Sequence, residues 1–366
     1  MRRGPGLEEL RTGVKKDAVC VPGKRRPRGR KAKITCLDIF AGAGGFSTGA
    51  EQAGAHTLFA INHDDDAVMY HALNHPYTMT CNQNVVAFDW NEAPLADLVL
   101  ASPSCKVHST AGTRGGKGKR GAAPKHDYLR PTPWAIVECL TNQIQRGNHP
   151  LVVVENVLEF RDKPWIDYRA WVEMIMRRGY ELSENVLCAL DFGVPQRRTR
   201  LFLVFTPSAS PFDLRLPARK CPPSIKQVKG KDRLPFKPLI QKGATGWKPW
   251  KDWDGGSVAS KVRDRLKKLK KRLGRVPPMW YWANTMSAPL DVTEPCGTIT
   301  AESGQQLYMV KGPLMRKFTI YELRGAMGFP KGYILPDSLT VASKLLGNAV
   351  VPAISKAIVQ QLIKRA

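Results

Sequence analysis

The sequence predicts a doubly wound α/β fold, a mostly parallel sheet with helices on its faces, joined to a second, smaller domain. Three observations carry that expectation. Short apolar runs alternate with helical segments from Ile34 to Phe205, a glycine-rich turn follows the first run, and after Phe205 the chain becomes rich in Pro, Lys and Trp.

Residues 1–33 hold many charges, Gly and Pro with almost no apolar periodicity, so a disordered basic arm is expected there. The apolar runs Ile34 to Ile39, Thr57 to Asn62, Leu98 to Ala101, Leu151 to Glu155 and Thr199 to Phe205 are bounded by Gly, Pro and Asp. Runs of that length read as buried parallel strands, which makes residues 34–206 the α/β domain. Residues 207–312 form the expected second domain, where Trp247, Trp250, Trp253, Trp280 and Trp282 are core candidates. Within it, Val262, Leu266, Leu269 and Leu273 recur at helical spacing among Lys and Arg, with Gly274 as the stop, predicting a basic amphipathic helix over 257–273. Residues 313–366 are expected to return to the first domain, with helical apolar spacing from Ser343 to Ile363.

A formal net charge of +26 over 366 residues creates a long-range field that attracts polyanions, so nucleic acid is the expected partner. The eight cysteines are scattered without a Cys-x-x-Cys pair or the His clusters of a zinc site, so reduced, intracellular thiols and no metal are expected. No apolar run approaches the length of a membrane span, and the Arg/Lys-rich start lacks the apolar core of a secretory signal. A cytoplasmic protein is expected.

The segment Leu37-Asp38-Ile39-Phe40-Ala41-Gly42-Ala43-Gly44-Gly45-Phe46 places the glycine turn between a strand and a helix. Glycines there let backbone N–H groups approach a ligand at the carboxyl edge of a parallel sheet, although an empty tight turn fits the glycines alone equally well. Phe40 offers an aromatic face, and the next strand ends in Asn62-His63-Asp64-Asp65-Asp66, polar side chains suited to ribose hydroxyls. Without a phosphate-binding loop, a nucleoside cofactor fits better than a nucleotide triphosphate.

That segment resembles the first motif of the cytosine-5 DNA methyltransferase family. The family's other motifs follow in its order: Ser102-Pro103-Ser104-Cys105, Glu155-Asn156-Val157, Gln196-Arg197-Arg198-Thr199-Arg200, Glu322-Leu323-Arg324 with Gly328-Phe329-Pro330, and Gly347-Asn348-Ala349-Val350. The resemblance implies the class I fold that binds S-adenosylmethionine, with residues 207–312 as the target-recognition domain. It implies Cys105 as nucleophile, Glu155 as the acid that bonds cytosine N3 and its exocyclic amine, and Arg198 and Arg200 projecting together to bond the cytosine carbonyl and hold Glu155 and the nucleophile loop in register. Cofactor contacts are expected from Asp38, Phe40, Ala41, Gly42, Gly44, Gly45, His63, Asp64, Asn84, Pro103 and Asn348.

The chemistry suits those residue types. Cytosine C5 is a poor nucleophile until a thiolate adds at C6, so the reaction needs a thiol, an acid and a placed methyl donor. Lys106, Arg198 or Arg200 would favour the thiolate of Cys105, and desolvation at the sheet edge would raise the pKa of Glu155. The target base must leave the duplex, and the Gly-, Lys- and Arg-rich segment Thr110 to Asp127 is expected to close over DNA phosphates. Lys and Arg on the 257–273 helix suit phosphate contact better than base reading.

Several positions depart from the family pattern. Ser104 replaces a proline, Lys106 a glutamine, His63 an acidic ribose ligand whose place Asp64 would take, and Asn84 an aspartate that meets the adenine. The expected function is methylation of cytosine C5 in a specific duplex sequence. Double-stranded DNA is the expected partner, with no membrane and a monomeric chain in a bacterial or phage-infected cell, any cognate restriction endonuclease acting independently. Two alternatives remain open: a tRNA cytosine-5 methyltransferase on the same scaffold, and a decayed methyltransferase that only binds DNA.

Overall fold

The computed structural model describes residues 19–24, 32–104, 131–162, 167–209, 234–283, 288–302 and 304–364. The chain divides into two compact units, the first over Met1–Leu187, Thr199–Arg219 and Val350–Ala366, the second over Cys188–Arg198 and Lys220–Ala349. The expectation drew the return to the first domain at residue 313; among the compact units it begins at Val350, and residues 313–349 lie in the second.

The strands in chain order are β1 (Val19–Val21), β2 (Thr35–Ile39), β3 (His56–Asn62), β4 (Met79–Asn82), β5 (Leu98–Ala101), β6 (Leu151–Asn156), β7 (Tyr180–Cys188), β8 (Gln196–Arg197) and β9 (Thr199–Pro207). The first unit carries an eight-stranded sheet in the order β1-β4-β3-β2-β5-β6-β9-β7. Its centre, β4-β3-β2-β5-β6, is parallel, while β1 joins β4 and β9 joins β6 in antiparallel fashion.

Helices α1 (Gly45–Ala53), α2 (Asp65–Asn74), α3 (Trp134–Gln145) and α4 (Asp167–Met176) complete the α/β pattern. Alternation along the strands sends Leu37, Ile39, Val99, Val152, Val154, Leu201 and Leu203 into one core with Ile136 and Leu140 of α3 and Trp171 and Ile175 of α4. Each such side chain contributes about 1.5–3 kcal/mol on burial. Phe202, between two of those leucines, meets Phe46 of α1 edge-on at 6.4 Å, so the other face is covered too. The C-terminal helix Pro352–Ile363 packs on α1 so closely that a Cβ on Gly49 would stand 2.3 Å from Pro352 O, and one on Gly45 would stand 2.1 Å from Val350 O. Glycine is needed at both positions.

The stretch Leu339–Ile363 is long and apolar enough to cross a membrane by length and composition. It is not one helix here. It breaks at Ala349 into Leu339–Asn348 and Pro352–Ile363, and 61% of its most apolar window is buried in protein.

Two expectations for the N-terminal region are corrected. Val19–Val21 is a strand inside the arm expected to be disordered, because this short apolar run can pair with the otherwise open edge of β4. Cys20 and Cys81, opposite each other in that pairing, form a disulfide, so these two cysteines are not the reduced thiols expected. β4 was not anticipated from its sequence, and without it nothing brings residues 61 positions apart together.

The second unit adds β10 (Lys248–Pro249), β11 (Met279–Ala283), β12 (Leu290–Asp291), β13 (Cys296–Gly297), β14 (Leu307–Lys311) and β15 (Leu314–Lys317), with helices α5 (Ser257–Leu273), α6 (Ile320–Ala326) and α7 (Leu339–Asn348). Its five-stranded sheet runs β10-β15-β14-β11-β12. Helix α5 spans the residues that periodicity predicted, and Gly274 follows at φ 71°. Val258, Val262 and Leu269 pack on Trp280, Trp282, Tyr308, Val310 and Met315, so these tryptophans form core. The motif residue Glu322 is structural: it is fully buried, pairs with Arg316 through contacts of 2.6 and 2.8 Å, and closes a capping box with Thr319.

Candidate active site

Three neighbouring parallel strands reach the carboxyl edge of the first unit side by side: Ile39 registers with Ala101 and Ala101 with Val154, and β6 runs two residues farther. The glycine turn follows β2, Ser102–Ser104 follows β5, and β6 ends in Glu155 and Asn156. This is where a doubly wound sheet binds ligands.

The turn is held in an unusual backbone shape. Phe40 (φ 64°), Gly42 (φ 53°) and Gly44 (φ 81°) are left-handed, and among the described residues Phe40 is the non-glycine with positive φ. That conformation costs about 1–2 kcal/mol for an L-residue, which is typical of a loop shaped for a ligand. Ala41 N donates to Ile61 O at 3.1 Å and Gly44 N to Ala41 O at 2.8 Å.

Hydrogen bonds join the turn to its neighbours. Ser102 donates through N to Ile39 O at 3.1 Å and through Oγ to Phe40 O at 3.2 Å. Asn156 Nδ2 donates to Pro103 O at 3.2 Å while its Oδ1 accepts from Val157 N. The loop leading to Cys105 is therefore fastened to both the glycine turn and the tip of β6. Cys105 itself, Lys106 and the segment Thr110 to Asp127 lie outside the described residues.

Glu155 is buried, and its Oε1 lies 3.2 Å from Arg200 Nε on the antiparallel neighbour β9. Arg198 is placed differently from the expectation that both arginines project together. It falls between β8 and β9, in the second unit, and its buried guanidinium donates to the carbonyls of Ile299, Gly347 and Ala349 at 2.9–3.1 Å. The alternation that would place both arginines on one face needs an unbroken strand, and this one is interrupted at Arg198.

The candidates His63, Asp64 and Asn84 follow β3 and β4, which lie next to β2 in the same sheet. His63 is exposed beyond the tip of β3. Asp64 caps α2, its carboxylate accepting from Ala67 N at 3.1 Å, and Asn84 is exposed with Oδ1 accepting from Val86 N at 3.1 Å. Pro103 is buried beside the turn. Asn348 ends α7 in the second unit and is exposed.

The residues fit a nucleoside cofactor bearing a positive charge. A Cβ on Gly42 would meet only Phe40 O, at 3.9 Å, so the turn opens onto free space beside a half-buried Phe40 ring. Asp38 is fully buried at the end of β2, and its Oδ1 has no hydrogen-bond partner. Burial raises its pKa to about 6, partly offset by hydrogen bonds from Ser47. Sequence reasoning gave no role to Ser102 or Asn156, whose task is visible only once their carbonyl partners are in place. The adjacency of Asn156 to Glu155 at a strand end was the one available signal.

The profile of the family described as C-5 cytosine-specific DNA methylase matches residues 34–364. Among curated proteins, the chain is similar to Type II methyltransferase M.BsuFI of Bacillus subtilis, 24% identical over 92% of this chain and 74% of that one. It is also similar to Type II methyltransferase M.NlaX of Neisseria lactamica, 26% identical over 89% of this chain and 95% of that one. Among solved structures, that of the S. pombe Dnmt2 methyltransferase superposes with a TM-score of 0.59, covering 90% of this chain and 97% of that one at 17% identity, a likeness of fold.

Proposed function

The chain belongs to the C-5 cytosine-specific DNA methylase family, and from that premise we propose that it methylates C5 of a flipped-out cytosine in a specific duplex sequence through a Cys105–C6 adduct. It is an S-adenosylmethionine-dependent cytosine-5 DNA methyltransferase by family. When bound, S-adenosylmethionine supplies the electrophilic methyl group.

The observation that carries this reading is the shared carboxyl edge of the neighbouring parallel strands β2, β5 and β6, with the loop before Cys105 hydrogen-bonded to both neighbours. On this reading the glycine turn, the loop before Cys105 and the buried Glu155 serve one reaction at one sheet edge. Sγ of Cys105 adds to C6 while Glu155 donates a proton or hydrogen bond to N3, and the electron pair of the C5–C6 bond becomes available at C5. Arg200 holds the Glu155 carboxyl group in place. Once C5 is substituted, its proton is lost and the Sγ–C6 bond breaks, regenerating the thiolate. The cofactor would be held by the turn from Phe40 to Gly45, with Asp38 beneath it and Asp64 and Asn84 farther along the edge.

The second unit fits the target-recognition role. Lys261, Arg263, Lys267, Lys268, Lys270 and Lys271 are exposed on α5, opposite its apolar face, as phosphate-contacting side chains would be. We read the chain as a cytoplasmic monomer that acts without a membrane or a bound endonuclease.

Duplex DNA carrying 5-fluorocytosine tests the reading, because fluorine at C5 cannot leave as a proton does and the adduct is trapped. With S-adenosylmethionine present, a covalent complex mapping to Cys105 is expected, absent in Cys105→Ala. An adduct that survives Cys105→Ala, or methylation of tRNA with none of duplex DNA in parallel assays, overturns it.

A further inference from the structure

Next to the glycine turn, a row of polar side chains is buried inside the first unit. Asp38 Oδ2 accepts from Ser47 N at 3.0 Å and from Ser47 Oγ at 2.6 Å. Ser47 Oγ lies 3.0 Å from His71 Nε2, and His71 Nδ1 lies 3.1 Å from Thr80 Oγ1. Asp38, Ser47, His71 and Thr80 are each at most 1% exposed. Apolar side chains would fill this space without the desolvation cost, so a buried row of this kind calls for a use.

The protons in the row order one another. Ser47 has one hydroxyl proton, and an ionised Asp38 takes it. Ser47 Oγ then accepts from His71, which places the imidazole proton on Nε2. Nδ1 is left as an acceptor, and Thr80 donates to it. The direction fixed at Thr80 on β4 thus reaches Asp38 on β2, where both Ser47 donors converge on Oδ2 and Oδ1 keeps its lone pairs.

We propose that His71 is a positioning residue for cofactor binding: anchored by Thr80, it holds the Ser47 hydroxyl on Asp38 Oδ2 and so keeps Asp38 Oδ1 as an acceptor for a cationic N–H donor of the cofactor. S-adenosylmethionine offers one such donor, its α-ammonium group, since the sulfonium carries no proton. The proposal rests on the glycine turn being the cofactor site.

The charge states this needs are those the surroundings favour. Burial, with His75 second, holds His71 well below the usual histidine value, so it is neutral. Asp38, raised to about 6, is ionised at pH 7.5. The other titratable groups acting here are His75, its ring 4.5 Å from that of His71, and Glu51, whose Oε2 lies 3.1 Å from His75 Nδ1.

Calorimetric binding of S-adenosylmethionine to the full chain, kcat at saturating cofactor, and the imidazole ¹⁵N spectrum test this together. Thr80→Val, which keeps the shape and removes the donor, is expected to weaken cofactor affinity about fivefold, the equivalent of one hydrogen bond, with kcat changed less than about twofold. His71→Leu should weaken affinity further, and His71→Gln, which restores a donor toward Ser47, should recover part of it. Wild-type affinity should fall as pH drops below about 6, and Asp38→Asn should bind weakly without that pH dependence. The wild-type spectrum should show neutral His71 with its proton on Nε2. A proton on Nδ1, or folded Thr80→Val and His71→Leu variants with unchanged affinity, overturns the proposal while leaving the cofactor site in place. A wild-type chain that does not bind S-adenosylmethionine overturns both. Should either variant fail to fold, the wild-type spectrum decides.

Discussion

Arg200 Nε stands 3.2 Å from Glu155 Oε1 across the antiparallel pair β6–β9, with both side chains largely out of solvent. The pairing orients one carboxyl group at the end of a strand whose neighbour leads to Cys105. Glu155→Gln keeps the shape and removes the acid. It is expected to lower single-turnover methylation about 10²–10⁴-fold while cofactor binding stays within about twofold. A variant that methylates at the wild-type rate would reduce Glu155 to a structural partner of Arg200.

Asn156 fastens the loop before Cys105 to β6 through Pro103 O. Asn156→Ala leaves that buried carbonyl without this donor and is expected to loosen the loop before Cys105. The expected result is a loss of about fivefold or more in methylation rate, corresponding to about 1 kcal/mol, with little change in cofactor affinity. Stopped-time methylation assays beside calorimetry check it. Equal losses in both quantities would mean that the whole edge has shifted.

The fold was readable where apolar pattern and punctuation agreed. Ile34 to Ile39 before a glycine turn, and Val262 to Leu273 before Gly274, each gave a period and a stop, and both elements form where expected. β4 was not readable, because Met-Thr-Cys-Asn is short and half polar, and the pairing of Cys20 with Cys81 was hidden with it. Arg198 was misplaced for a different reason. Its acceptors are backbone carbonyls more than a hundred positions away, and carbonyls carry no sequence signal. His71 looks like any polar residue on a helix until Ser47 and Thr80 come to either side of it.

Asp38 makes a stability prediction with a definite sign. Its folded pKa of about 6 lies above the ordinary 3.8, so the folded protein takes up this proton before the unfolded chain does as pH falls. The penalty for burying the ionised form is complete above about pH 6 and relaxes as pH falls toward 4. Asp38→Asn removes it at every pH. Relative to wild type, the variant should therefore gain on the order of 2–3 kcal/mol between pH 4 and pH 7.5 in urea unfolding. A difference that stays constant across that range would place the proton elsewhere.

Gly49 sits mid-helix, where alanine is ordinarily the better residue by about 1 kcal/mol. A Cβ there would meet Pro352 O at 2.3 Å and Ser355 Cβ at 2.4 Å, so the C-terminal helix would have to move. Gly49→Ala is expected to cost about 1–3 kcal/mol by thermal or chemical unfolding, overriding the helix preference. The Ser355 Oγ bond to Phe46 O, at 2.9 Å, would be broken by the same movement. Unchanged stability would show that the two helices separate freely.

The exposed cations of α5 predict how DNA binding responds to salt. Each side chain that neutralises a phosphate releases condensed counterions, so losing one contact flattens the plot of log affinity against log salt by about 0.9. Lys267→Ala with Lys271→Ala removes two exposed charges while sparing the apolar face of Val258, Val262 and Leu269. The slope should fall by about 1–2, with affinity reduced equally on methylatable and unrelated duplexes. A loss confined to one DNA sequence would instead make these lysines readers of bases, and an unchanged slope would move the phosphate-binding surface off this helix.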